Sequence, residues 1–91
     1  METAVVDQPE PLDVADGERG VAEVYRREYR SMVRLAHLIT GSNEVAEDVV
    51  QDSFVRLYRR WAAVYQPGAY LRTTVVNRCQ SWQRRQRPPP A

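Results

Sequence analysis

The sequence of 91 residues contains no lysine, one cysteine (Cys79) and one histidine (His37). A single cysteine excludes an intramolecular disulfide framework and a cluster of cysteine metal ligands. The sequence shows no secretory signal and no apolar run of membrane-span length, so the expected compartment is the cytoplasm, without membrane insertion. An apolar share of 43% is sufficient for a modest core, and the length predicts one small domain.

Acidic residues are missing from the second half of the chain. Beyond Asp52 there is no Asp or Glu, whereas residues 54–91 carry eight arginines. Residues 1–20 hold six acids and Arg19, and residues 21–53 hold six acids and four arginines. The net charge of +1 is therefore the sum of an acidic first part and a strongly basic second part of the chain. The use of arginine without any lysine is also compatible with a GC-rich genome. The separation of acidic from basic residues along the chain, however, indicates that the basic end binds a polyanion.

Both ends of the chain differ in composition from its middle. Residues 1–17 contain two prolines and many acids and have no sustained apolar period, which predicts a disordered acidic tail. An alternative is that this tail imitates nucleic acid and shields the basic end. The proline run predicts the start of an interdomain linker at 88–91. The folded domain is therefore expected over residues 18–87.

Between these ends, the apolar spacing predicts three α-helices and no strand, with the helices over residues 18–39, 44–61 and 67–86. The link between the first two helices is so short that they are expected to be antiparallel neighbours. The predicted fold class is therefore all-α, a compact three-helix bundle. A short additional turn near the start of the first helix is compatible with the pattern.

The link itself carries the residues that end one helix and begin the next. Gly41 is suited to a left-handed C-terminal cap, and Ser42 or Asn43 is suited to the N-terminal cap that follows. The apolar faces of the helices predict the core. They comprise Val21, Val24, Tyr25, Tyr29, Met32, Val33, Leu35, Ala36 and Ile39, then Val45, Val49, Phe54, Leu57, Tyr58 and Trp61, then Tyr70, Leu71, Val75, Cys79 and Trp82.

Five segments of the chain resemble blocks of the bacterial sigma factors, most closely those of the extracytoplasmic-function group. They are YRSMVRLA at 29–36, AEDVVQDSF at 46–54, LYRRW at 57–61, PGAYLR at 67–72 and VVNR at 75–78. The resemblance is to domain 2 of these factors and covers residues 21–87. It implies a transcription initiation factor domain that binds the clamp helices of core RNA polymerase. It also implies recognition and melting of the promoter −10 element through capture of a flipped non-template base.

The resemblance places polymerase contacts on the second helix, at Glu47, Asp48, Gln51, Asp52 and Arg56. The second helix carries a stripe of acidic and amide side chains, formed by Glu44, Asp48, Gln51 and Asp52. Such a stripe is suited to charge-assisted hydrogen bonds with arginines of a coiled-coil partner. An ordinary solvated helix face is the alternative interpretation of this stripe. The helical spacing also permits Asp48 and Asp52 to act as paired carboxylates, but without a second element that forms a cleft, charge pairing explains them better.

The resemblance places DNA contacts on the connector and the third helix, at Trp61, Tyr65, Gln66, Arg72, Thr73, Asn77, Arg78, Arg84 and Arg85. The connector at 61–66 matches the loop that receives the flipped base, for which aromatic rings supply a stacking surface. Asn77 is suited to read a base, because its amide both donates and accepts, and the arginines, with Arg87, are suited to hold phosphates. A plain core role is an equal alternative for Trp61 and the favoured one for Trp82.

The expected partners are core RNA polymerase, the non-template strand of the −10 element and an anti-sigma factor. No enzymatic activity and no cofactor are expected, because the sequence has no phosphate-cradling glycine loop, no Ser/Cys–His arrangement and no metal-ligand spacing. The alternative function is regulatory: a sigma-like module whose main contact is the anti-sigma factor, or a decoy that competes for core polymerase. Nothing in the sequence matches the second domain of such factors, so an excised domain and a naturally short protein are both open.

Overall fold

The computed structural model describes residues 10–86, with side chains from residue 16 onward. It contains α1 (Glu10–Thr40), α2 (Asn43–Arg59), a 3-10 turn (Trp61–Ala63) and α3 (Pro67–Gln86). Both α2 and α3 pack against α1 and against each other. The predicted all-α three-helix bundle is therefore confirmed. Within residues 10–86, no helix is both long enough and apolar enough to cross a membrane.

Helix α1 begins at Glu10, eight residues before the start that the apolar spacing predicted. The part of the expected disordered tail at residues 10–17 is thus helical. The physical reason is tertiary contact: Gly17 is buried, and a Cβ atom there would lie 3.5 Å from Tyr58 Cε1. Contacts of this kind between distant residues leave no local period in the sequence. The expected tail at 1–9 and the expected linker at 88–91 lie outside the described residues.

The link between α1 and α2 is fixed by backbone caps at both helix ends. Gly41 has a φ of 74° and its N–H donates to His37 O at 2.7 Å, as expected for a glycine in the left-handed region. Ser42, rather than Asn43, caps α2, since its hydroxyl accepts from the Val45 N–H at 3.1 Å. The end of α1 is also held by α3, because Gln83 Nε2 donates to Ile39 O at 2.7 Å.

The core lies where the three helices meet. Its buried apolar residues are Val24, Met32 and Ala36 of α1, Ala46, Val50, Phe54 and Leu57 of α2, and Leu71, Val75 and Cys79 of α3. Cys79 is thus a core residue, as predicted, and burial raises the pKa of its thiol, which keeps the sulfur protonated and unreactive.

On α2 the buried face is rotated relative to the predicted stripe. It is centred on Ala46, Val50, Ser53 and Leu57, which follow each other at steps of four, three and four residues. Ser53 is tolerated in the core because its hydroxyl donates to Val49 O at 2.7 Å. The prediction that Tyr58 belongs to the core was wrong, because its side chain is 39% exposed.

Trp61 lies against the backbone of α1 at Gly20. A Cβ atom at Gly20 would approach Trp61 Cε2 to 2.7 Å, which is closer than packed carbon atoms come. The indole is half-buried in this position, where it packs against the core cluster that includes Leu57 of α2. The absence of a side chain at Gly20 therefore sets how closely α1 approaches the connector.

We expect Gly20→Ala to destabilise the bundle by about 1–3 kcal/mol, because the added methyl group forces the indole or α1 to move. Gly17→Ala is the matched control on the same helix, where the added Cβ makes an ordinary contact. This control is expected to stabilise the chain by roughly 0.5–1 kcal/mol through helix propensity. Urea unfolding followed by circular dichroism measures both changes. Equal stabilisation by the two substitutions would contradict the close packing of Trp61 on α1.

Candidate functional site

The side of α2 that points away from the core forms an exposed ridge. Its members share exposure to solvent and helical steps of three or four residues. They are Glu44, Glu47, Asp48, Gln51, Val55 and Tyr58. We call this set the acidic ridge. Three predicted polymerase-binding residues lie on it, and sequence reasoning missed the last two members, of which Val55 is 43% exposed.

The acidic ridge is tied to α1 by a cluster of aromatic rings. Gln51 Nε2 donates to the hydroxyl of Tyr25 at 3.1 Å. Tyr25 stacks on Tyr29, with ring centroids 4.6 Å apart, and packs on Phe54 at 4.9 Å. Partial burial and the neighbouring Tyr25 raise the pKa of Tyr29. The hydrogen bond to Tyr25, whose ring is packed within this cluster, orients the amide of Gln51.

The other two predicted polymerase-binding residues lie on a different side of α2, toward α3. Asp52 Oδ2 forms an ion pair with Arg78 Nη2. Arg56 lines the groove between α2 and α3. The structure thus separates the five residues into two groups. Asp52 and Arg56 lie beside residues that were predicted to bind DNA.

The groove between α2 and α3 has a volume of about 470 Å³. Four guanidinium groups, two aromatic rings and several small polar side chains line it. They belong to Val49, Arg56, Tyr70, Thr74, Asn77, Arg78, Ser81, Trp82, Arg84 and Arg85. We call it the basic groove. It brings together Asn77 and three of the arginines predicted to bind DNA. Arg72 and Thr73 are exposed on α3 but do not line it.

The connector after α2 presents one freely exposed aromatic ring. Tyr65 is 92% exposed, as the sequence predicted, and Gln66 beside it is also exposed. Trp61 differs, because its indole packs on Gly20 of α1. Trp82 is neither a fully buried core residue nor a freely exposed ring. Its side chain is half-buried and forms part of the wall of the basic groove.

Among the side chains that the structure describes, residues 16–86, no three His, Cys, Asp or Glu are placed to hold a metal ion. His37 is exposed near the end of α1. The described surface offers charged groups, hydrogen-bonding side chains and aromatic rings for contacts with a partner. Its two centres are the acidic ridge and the basic groove with the connector.

Comparison with known proteins connects these surfaces with a family. A family model described as Sigma-70 region 2 matches residues 24–88. Searches of curated proteins and of solved structures found no match. Sigma-70 region 2 domains act in transcription initiation, where they bind core RNA polymerase and recognise the promoter −10 element. Because the matched span covers most of the chain and contains the acidic ridge, the connector and the basic groove, this chain belongs to the sigma-70 family as a region 2 domain.

Proposed function

We propose that this chain is the region 2 domain of a sigma factor of the extracytoplasmic-function group. In this proposal it binds the clamp helices of core RNA polymerase and captures a flipped non-template base of the −10 element. The observation that carries the proposal is spatial: an acidic ridge occupies one side of α2, while an arginine-lined groove and an exposed aromatic connector lie elsewhere. Two separate surfaces allow one small domain to hold two partners at once.

The acidic ridge is the proposed polymerase surface. Glu47 and Asp48 are exposed carboxylates, and the Gln51 amide is fixed by Tyr25. Carboxylates on a rigid helix bind arginines of a partner helix through charge-assisted hydrogen bonds. The exposed Val55 and Tyr58 add apolar area beside these charges, which is the usual composition of an interface centre. Because the Gln51 amide is already held by Tyr25, this side chain loses little entropy on binding.

The connector is the proposed site of base capture. Tyr65 is exposed enough to stack on an unpaired base, and the side chain of Gln66 donates and accepts hydrogen bonds. Trp61, held against Gly20, is suited to form a fixed wall of the pocket rather than a mobile platform. Asn77 is proposed to read a base edge, while Arg72, Arg84 and Arg85 hold phosphates beside Thr73.

An anti-sigma factor is the proposed regulator of this domain. The exposed Val55 and Tyr58 on the acidic ridge support a protein partner at this surface, and an inhibitor that covers them competes directly with polymerase. A decoy role, in which the chain occupies polymerase without initiating, uses the same surface. The proposed compartment is the cytoplasm, where polymerase and promoter DNA are present.

Asp48→Arg is expected to weaken binding to core RNA polymerase by at least about 30-fold, corresponding to ~2 kcal/mol. The reason is that a reversed charge meets the partner's cations instead of pairing with them. Binding is measured by fluorescence anisotropy of the labelled chain titrated with core enzyme. The substitution is not expected to disturb the fold, since among the described residues Asp48 has no side-chain hydrogen bond or ion pair to break.

Glu23→Arg is the matched control for this substitution. It makes the same change in charge on the outer face of α1, where it breaks only an exposed contact of 3.4 Å with Arg26. Any general gain in DNA affinity from added positive charge appears in both variants. Equal loss of polymerase binding in the two variants would contradict the assignment of the acidic ridge.

Tyr65→Ala is expected to weaken binding to the single-stranded non-template −10 sequence by about 5- to 150-fold, because one stacked base is worth roughly 1–3 kcal/mol. Tyr65→Phe retains the ring and is expected to bind nearly as tightly as the unmodified chain. Tyr58→Ala provides the opposite control: it should lower polymerase affinity and leave DNA affinity intact. A Tyr65→Ala variant with unchanged DNA affinity would remove the connector from the proposed site.

A further inference from the structure

We propose that the basic groove is a phosphate-binding site for single-stranded promoter DNA, in which Arg56 of α2 acts together with Arg78 of α3. Asp52 is the intramolecular counter-ion that the DNA phosphate displaces from Arg78. This inference rests on the proposed function, because it gives the DNA strand a path beyond the connector. It also moves Arg56 from the polymerase surface to the DNA surface.

The first support is the balance of charge in the basic groove. Four arginines from two helices line it, and no carboxylate is among the lining residues. Asp52, at the side of the groove, is the acid that pairs with one of them. Cations gathered in a concave surface create a strong local positive potential. This potential attracts a polyanion, whose charge neutralises it. The groove is thus matched to a phosphate backbone rather than to a neutral ligand.

The second support is the incomplete bonding of Arg78. Its Nη2 atom pairs with one oxygen of Asp52, but its Nε atom is buried and has no hydrogen-bond partner within the described part of the chain. Once the Arg78 side chain turns away from Asp52 and exposes Nε, a phosphate that takes both Nε–H and Nη–H supplies the missing acceptor, because guanidinium and phosphate match in a two-bond geometry. The side chains of Arg78 and Asp52 are 35% and 46% exposed, so an incoming anion competes with a solvent-screened pair.

The third support is the position of the basic groove along the chain. Tyr70 lies at its near end, one turn into α3 and close in sequence to the connector. Arg85 lies at its far end, about 22 Å further along α3 at the rise of an α-helix. A strand whose base is held at Tyr65 therefore passes Arg56 and Tyr70 before it reaches the C-terminal arginines. The rings of Tyr70 and Trp82 in the walls offer surfaces for its unstacked bases.

The test compares Arg56→Ala with Arg59→Ala in the full chain. Both arginines are exposed in the last turn of α2, but Arg59 does not line the basic groove. The probe is a labelled single-stranded oligothymidylate, because a phosphate contact does not depend on sequence. Its affinity is measured by anisotropy over a series of salt concentrations.

Arg56→Ala is expected to reduce the slope of log affinity against log salt by about 0.7, the change for one lost phosphate contact on a single strand. Arg59→Ala is expected to leave the slope unchanged. Arg56→Ala should also leave the affinity for core polymerase unchanged. A normal slope in Arg56→Ala, or a loss of polymerase affinity instead of DNA affinity, would overturn the proposal.

Asp52→Asn tests the role of the counter-ion with an isosteric, neutral side chain. It is expected to tighten oligothymidylate binding roughly two- to five-fold, the size of an exposed ion pair that no longer competes. Unchanged or weaker binding would overturn this role. The outcomes also separate the two proposals. If Arg72→Ala, outside the groove, lowers the slope and Arg56→Ala does not, the groove site is wrong and DNA binding stands, whereas an unmodified chain without salt-dependent binding contradicts both.

Discussion

The burial of one face of α2 is the constraint on which the rest of the structure depends. Ala46, Val50, Ser53 and Leu57 have no measurable exposure, so the rotation of α2 about its axis is fixed. The remaining directions follow from helical geometry. Gln51 turns toward α1, the side of Asp52 and Arg56 turns toward α3, and Asp48 with Val55 points outward. A single packing arrangement therefore distributes the polar residues of α2 between the two surfaces that we propose for binding.

The ion pair of Asp52 with Arg78 lies where these two surfaces meet. Gln51 and Asp52 are adjacent in sequence, yet one is bonded to a tyrosine of α1 and the other to an arginine of α3. In the proposed DNA complex, release of Arg78 from Asp52 frees a positive charge in the basic groove. On α2, the proposed polymerase surface and the proposed DNA surface are therefore separated by one residue, from Gln51 to Asp52.

The aromatic residues divide into supporting and exposed ones in a similar way. Tyr25 and Tyr29 support the acidic ridge through their stacking on each other and on Phe54. Trp61 supports the connector through its contact with Gly20. Tyr65 and Tyr58 are left at the surface, near the DNA and polymerase sites that we propose.

The sequence by itself determined the helical fold class, the bounds of α3, the Gly41–Ser42 link and the family, because proline, glycine, caps and apolar period act locally. Only the tertiary structure decided that α1 begins at Glu10, that Tyr58 is exposed and that Asp52 meets Arg78. The helical period locates an apolar face to within about one residue step of 100°, which leaves side chains at its margin undecided. Contacts such as Gly20 with Trp61 join residues far apart in the chain, so they arise only when the helices pack.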